Sequence, residues 1–207
     1  NLPAPLTSFV GREVELAEVE RLLAEARLLT LTGVGGVGKT RLALEAARRG
    51  LPDFPEAVFV DLSSVSRAES VASRVAAGLA VREQTDVQLE QQIAGRIGSS
   101  RLLLVLDNCE HVREAASTLL ASVLPLCPEL HVLATSREFL GCEGETAYPV
   151  PPLEAADAVD LFLARARAVR PRLVDDGRAR DTVVAICSDL DGLPLAIELA
   201  AARVVGL

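Results

Sequence analysis

Eight consecutive residues, Gly33-Val-Gly-Gly-Val-Gly-Lys39-Thr40, satisfy the pattern G-x-x-x-x-G-K-[ST] at each fixed position. Glycines at this spacing let the backbone fold back so that its N–H groups converge on phosphate oxygens. A helix starting at the end of the loop presents its positive N-terminal end to the same anion. Lys39 then reaches the β- and γ-phosphates of a nucleotide, and the Thr40 hydroxyl ligates Mg²⁺. The expected cradle comprises Gly33, Gly35, Gly36, Val37, Gly38, Lys39, Thr40 and Arg41, with ATP or ADP and Mg²⁺ as ligands. The bland alternative is a glycine-rich turn with no ligand. An apolar run before the loop and a helical pattern after it favour the phosphate reading.

Three further residues could complete such chemistry. Leu102-Leu-Leu-Val-Leu-Asp107 is an aliphatic run closed by an acid. A carboxylate there can hold Mg²⁺ through water, or it can merely cap a following helix. Asn108 stands where hydrolytic P-loop proteins often place a second acid, and Glu110 is the nearest other carboxylate. Glu110 could polarise a water or cap the helix expected near Val112. Leu133-Ala-Thr-Ser-Arg137 closes another apolar run, and Arg137 could sense a γ-phosphate or form a surface ion pair.

The elements that must position these residues follow from periodicity. Leu28–Thr32, Ala57–Asp61, Leu102–Leu106, His131–Thr135 and Thr146–Val150 read as strands. The uninterrupted aliphatic run before Asp107 suits a parallel strand buried on both faces. Helical patterns occupy Glu13–Ala26, Thr40–Arg49, Ser70–Ala80, Val87–Ile97 and Val112–Leu124. Strands alternating with helices predict an α/β fold with a five-stranded parallel sheet flanked by helices. After Pro149-Val-Pro-Pro152 no strand-like run remains, and helices are expected at Glu154–Val169, Asp176–Leu190 and Pro194–Leu207. Pro194 suits a helix's first turn. The chain is thus expected to divide into a nucleotide-binding domain, 1–152, and a small all-helical subdomain, 153–207.

Composition narrows the function. A net charge of −8 supplies no general electrostatic grip on nucleic acid, and with one Tyr and no Trp there is little to stack on bases. No direct nucleic-acid binding is expected. No apolar run is long enough to span a bilayer, so no membrane association is expected. Lys39 is the single lysine among 21 basic residues. That fits an arginine-preferring genome, and also a position where a planar guanidinium would not serve. Cys109, Cys127, Cys142 and Cys187 lack metal-ligand spacing and read as incidental thiols in a reducing cytoplasm. Absence of any Met leads to the expectation that the chain is a piece of a longer protein.

Phe9-Val-Gly-Arg-Glu13, the P-loop, Leu-Asp107-Asn108, Thr135-Ser-Arg137 and Gly192-Leu-Pro-Leu-Ala196 come in the order and spacing of the STAND class of P-loop ATPases. That class includes the NB-ARC domains of plant resistance proteins and apoptotic scaffolds. Leu-Asp107-Asn-Cys-Glu-His111 and Gly192-Leu-Pro-Leu-Ala-Ile-Glu-Leu-Ala-Ala201 resemble in particular bacterial multidomain regulators of the AfsR and LuxR-like type. The resemblance implies that Val10 and Arg12 lie by the adenine, that Pro194 packs on the base, and that Arg137 contacts the γ-phosphate. It implies that the Arg137 strand lies between the P-loop strand and the Asp107 strand. It also implies winged-helix, repeat-sensor and DNA-binding domains elsewhere in the parent chain, and nucleotide-dependent self-association. Asn108, where many relatives have an acid, argues against fast hydrolysis. The expectation is an ATP/ADP-driven switch of a transcriptional regulator. A turnover ATPase or motor-like NTPase is the alternative. A small-molecule kinase would need a lid that the sequence does not suggest, and a P-loop kept as scaffold would bind no nucleotide.

Overall fold

The computed structural model describes residues 1–65, 70–170 and 177–206. Helix α1 (Glu13–Glu25) leads into β1 (Leu28–Thr32) and, after the glycine loop, α2 (Lys39–Arg49). Then come β2 (Glu56–Asp61), α3 (Ser70–Gly78), α4 (Leu89–Ile97) and β3 (Leu102–Asp107). A 3-10 turn (Cys109–His111) precedes α5 (Arg113–Val123), β4 (Leu130–Thr135) and β5 (Glu145–Pro149). Helices α6 (Ala155–Val169), α7 (Gly177–Asp189) and α8 (Pro194–Ala202) follow, with a last 3-10 turn at Arg203–Gly206. The expected starts and ends at Asp176 and Leu207 lie outside the described residues.

The five strands are parallel in the order β2-β3-β4-β1-β5. The strand that ends before Arg137 therefore lies between the P-loop strand and the Asp107 strand, as the resemblance implied. Register pairs Leu31 with Thr135, Leu106 with Ala134, and Asp61 with Asp107. The carboxyl ends of four strands thus form one edge, where open α/β sheets collect ligands.

Side chains alternate across the sheet and build two cores. Leu28, Val58, Val60, Leu102, Leu104, Leu106, Val132 and Ala134 face α3, α4 and α5. Leu29, Leu31, Ala57, Leu103, Val105 and Leu133 face α1 and α2. Every residue of β3 is buried, which is why its sequence reads as an unbroken aliphatic run. Each such leucine contributes about 1.5–3 kcal/mol of transfer free energy. A third cluster, centred on Phe162, Ala166 and Ile197, joins α6, α7 and α8.

Most boundaries shift by a residue or two, the last helix gives way to a 3-10 turn after Ala202, and two shifts have visible local reasons. The helix expected from Val87 starts at Leu89, because the Gln92 amide binds Gln84 N–H, Gln84 O and Val87 O and holds that stretch as a loop. The helix expected to reach Ala80 stops at Gly78, and Ala80 turns into the left-handed region with φ 56°.

Candidate functional site

The P-loop leaves β1 at Gly33 and enters α2 through Gly38, which caps the helix in a left-handed conformation with φ 99°. Gly36 also has positive φ, 79°, and a Cβ there would lie 3.0 Å from the Cβ of Leu195. The loop can pack against the first turn of α8 only without a side chain at that position. The Leu195 N–H donates to Gly36 O at 3.2 Å, so α8 is joined directly to the loop. The Lys39 ammonium donates to Gly33 O at 2.8 Å and Val34 O at 3.0 Å. Burial lowers its pKa, Glu110 opposes that shift and Arg137 adds to it.

Behind the loop, Asp107 is 3% exposed at the tip of β3. Its Oδ1 accepts from Thr40 Oγ1 at 2.7 Å and from Thr135 Oγ1 at 2.6 Å. Its Oδ2 accepts from the Asn108 amide at 3.0 Å. Burial raises its pKa, and the two hydroxyl bonds offset part of that. The carboxylate is thus fixed beside Thr40, the hydroxyl expected to ligate Mg²⁺, and caps no helix. Asn108 takes the left-handed conformation, φ 60°, and also binds Asp61 through its amide at 3.3 Å. The motif's His111 points elsewhere, its Nε2 facing Leu62 O at 3.0 Å and Val65 O at 2.8 Å, where it pins the segment after β2.

Glu110 does not cap α5. Asn108 diverts the chain into the 3-10 turn, and the α5 cap, Val112, has no side-chain bond. Instead Glu110 Oε1 pairs with Arg137 Nε at 3.4 Å, while its Oε2 is buried without a hydrogen-bond partner. Arg137 is 68% exposed, and a Cβ on Gly35 would lie 3.9 Å from its Nη2. Arg137 thus forms the ion pair of one reading, and its guanidinium lies close to the phosphate loop.

The loop, the acid-bearing edge and the C-terminal helices enclose a cleft of about 380 Å³. That is within the range of small-molecule sites. Of the expected residues, Val10, Arg12, Gly35, Gly36, Gly38, Lys39, Thr40, Arg41, Glu110, Arg137 and Pro194 line it. Gly33, Val37 and Asp107 do not: Val37 is buried in the core beneath the loop, and Asp107 lies behind Thr40.

Sequence reasoning missed part of the lining, namely Ser8, Leu153, Leu161, Arg165, Leu195 and Glu198. Arg165 Nε binds Glu198 Oε1 at 2.8 Å, and its Nη2 donates to Ser8 O at 2.9 Å. Arg41 holds the same segment from α2, donating to Thr7 Oγ1 at 2.6 Å and Ser8 O at 2.8 Å. Glu198 was within reach of the sequence, because Pro194 at the helix start puts the fourth residue after it on its own face.

Among the described residues the four cysteines are free thiols, no cluster of His, Cys, Asp and Glu has metal-site grouping, and no helix is long and apolar enough to cross a membrane.

Comparison with known proteins agrees with this fold. The family described as AAA domain matches residues 22–137. The Mycobacterium tuberculosis protein Rv0890c, whose name contains the words HTH-type transcriptional regulator, is 44% identical over 88% of this chain and 21% of its own length. Regulatory protein AfsR of Streptomyces griseus is 27% identical over 98% of this chain and 21% of its own. The chain spans about half the length, 51%, of other curated mycobacterial relatives that it matches. Among solved structures, the STAND protein PH0952 of Pyrococcus horikoshii, which has a tetratricopeptide repeat sensor, superposes with a TM-score of 0.66 at 21% identity, covering 96% of this chain and 30% of that one. That likeness shows the fold. The chain belongs to the AAA domain family of P-loop proteins and is related to bacterial regulators of the AfsR type.

Proposed function

We propose that this chain is an ATP/ADP-binding switch of a signal-transducing transcriptional regulator, with slow hydrolysis at most. The observation that carries the reading is the physical contact between the phosphate loop and α8, Leu195 N–H to Gly36 O at 3.2 Å, with Pro194 and Lys39 lining one cleft. A nucleotide there touches both the sheet and the C-terminal helices, and so can bias their relative arrangement. Such a bias equals the ligand's differential affinity for the two arrangements.

The residues fit a magnesium nucleotide. Gly36 and Gly38 keep the loop free of side chains, Lys39 supplies a cation, and Thr40 and Asp107 are oxygen donors 2.7 Å apart. Thr40 would ligate Mg²⁺ directly and Asp107 through water, and the ion supplies charge neutralisation on the phosphates. Arg137 would read the γ-phosphate, Glu110 would orient water, and Val10 and Pro194 would wall the base. Residues 1–152 would act as the nucleotide-binding domain and 153–207 as a helical subdomain. Winged-helix, sensor and DNA-binding domains of the parent chain would be its partners in the cytoplasm. This chain would not itself bind nucleic acid, and exchange of ADP for ATP would promote self-association.

Asn108 in place of an acid favours the switch over a turnover ATPase. The test is to titrate Mg-ADP and a non-hydrolysable Mg-ATP analogue, following protease protection of the α6–α8 region. A nucleotide-dependent difference in protection supports the switch. Identical protection and affinity with rapid ATP turnover would favour the enzyme.

A further inference from the structure

Arg12 is 4% exposed, yet its side chain does not reach for a carboxylate alone. Nη2 donates at 2.8 Å to Val37 O in the phosphate loop and at 2.8 Å to Pro151 O in the segment joining β5 to α6. Nη1 donates to Glu15 at 3.2 Å. The backbone of Arg12 is left-handed, φ 66°, and its N–H donates to Asp157 Oδ2 of α6 at 3.1 Å. The neighbouring Gly11 has φ 69°, and a Cβ there would overlap the Asp157 carboxyl.

The bond to Val37 O has a directional consequence. In a planar trans peptide the C=O and the following N–H point opposite ways. Fixing Val37 O against the guanidinium therefore turns the Gly38 N–H away from the guanidinium, and N–H groups of such loops are what bind phosphate. We propose that Arg12 is a positioning residue: it preorganises the Val37–Gly38 peptide for a diphosphate and ties that peptide to Pro151 and Asp157. This rests on the cleft being a nucleoside-diphosphate site. It assigns Arg12 to the loop rather than to the adenine. By linkage, a ligand that uses this peptide stabilises the docked arrangement of α6, and undocking α6 weakens diphosphate binding by the same factor.

Titration of Mg-ADP and Mg-IDP into wild type, Arg12→Lys and Asp157→Asn tests it, with thermal midpoints recorded. Lysine keeps the charge but lacks the fork that bridges two carbonyls. Arg12→Lys should lower both affinities by the same factor, about tenfold, as expected for loss of a charge-assisted bond. Asp157→Asn retains the guanidinium and guards against misfolding of the first variant. It should lower both affinities about two- to threefold, less than an ordinary charged bond because the guanidinium remains. A loss for ADP that spares IDP would make Arg12 a base contact and overturn the proposal. Unchanged affinities in both folded variants would overturn it too. A wild-type chain that binds neither nucleotide would instead remove the nucleotide reading on which it rests.

Discussion

The hydroxyl of Thr40 and the carboxylate of Asp107 meet at 2.7 Å, although 67 residues separate them in sequence. The contact joins the first turn of α2 to the tip of β3, and the Thr135 hydroxyl binds the same oxygen. Asp107→Asn is nearly isosteric, so the fold should survive while the negative charge is lost. Nucleotide affinity should then lose most of its dependence on Mg²⁺. Equal Mg²⁺ dependence in wild type and variant would remove Asp107 from the metal site.

Variants of the Glu110–Arg137 ion pair test binding and turnover separately. Glu110→Gln should leave Mg-ADP affinity within about twofold of wild type, because the carboxylate is not part of the phosphate cradle. Any hydrolysis should fall by about 10²-fold or more if Glu110 acts on water. Arg137→Ala should reduce the preference for ATP over ADP and leave ADP affinity nearly unchanged. Single-turnover hydrolysis and paired titrations measure both effects. An unaltered ATP preference in Arg137→Ala would exclude γ-phosphate sensing.

His131, in β4, gives a pH dependence unrelated to nucleotide. Its ring meets Phe54 edge-on at 5.0 Å, and the Arg101 guanidinium lies 5.2 Å over Phe54. Burial, reinforced by the charge of Arg101, holds its pKa below the ordinary 6.5. The unfolded chain therefore binds this proton more readily than the folded one. Stability is retained above about pH 6.5 and lost as pH falls from there toward the lowered folded value. Urea midpoints measured from pH 7 to 5 should fall less in His131→Gln than in wild type. Parallel slopes would show that His131 does not contribute.

Much of this was readable in the sequence because one physical cause left one local mark. The buried strands are aliphatic runs, the cradle is a glycine-lysine pattern, and Asp107 ends a run that is buried on both faces. Order and spacing did not reveal Arg165, whose pairing with Glu198 spans 33 residues and exists only once α6 packs on α8. Arg12 was legible as a motif residue but its contacts were not, because they depend on a left-handed turn and on carbonyls 25 and 139 residues away. Glu110 admitted a capping reading until the φ of Asn108, 60°, placed it in a separate turn.

The central claim, that the loop before α2 is a nucleotide site worked by Lys39, is tested most directly by calorimetric titration of Mg-ADP into wild type and Lys39→Ala. The variant removes an ammonium that donates to two loop carbonyls, Gly33 O and Val34 O, and leaves the buried sheet untouched. The predicted result is saturable one-site binding to wild type, and about a hundredfold weaker binding to a variant with a cooperative thermal transition near that of wild type. Equal affinity in the folded variant would contradict the account.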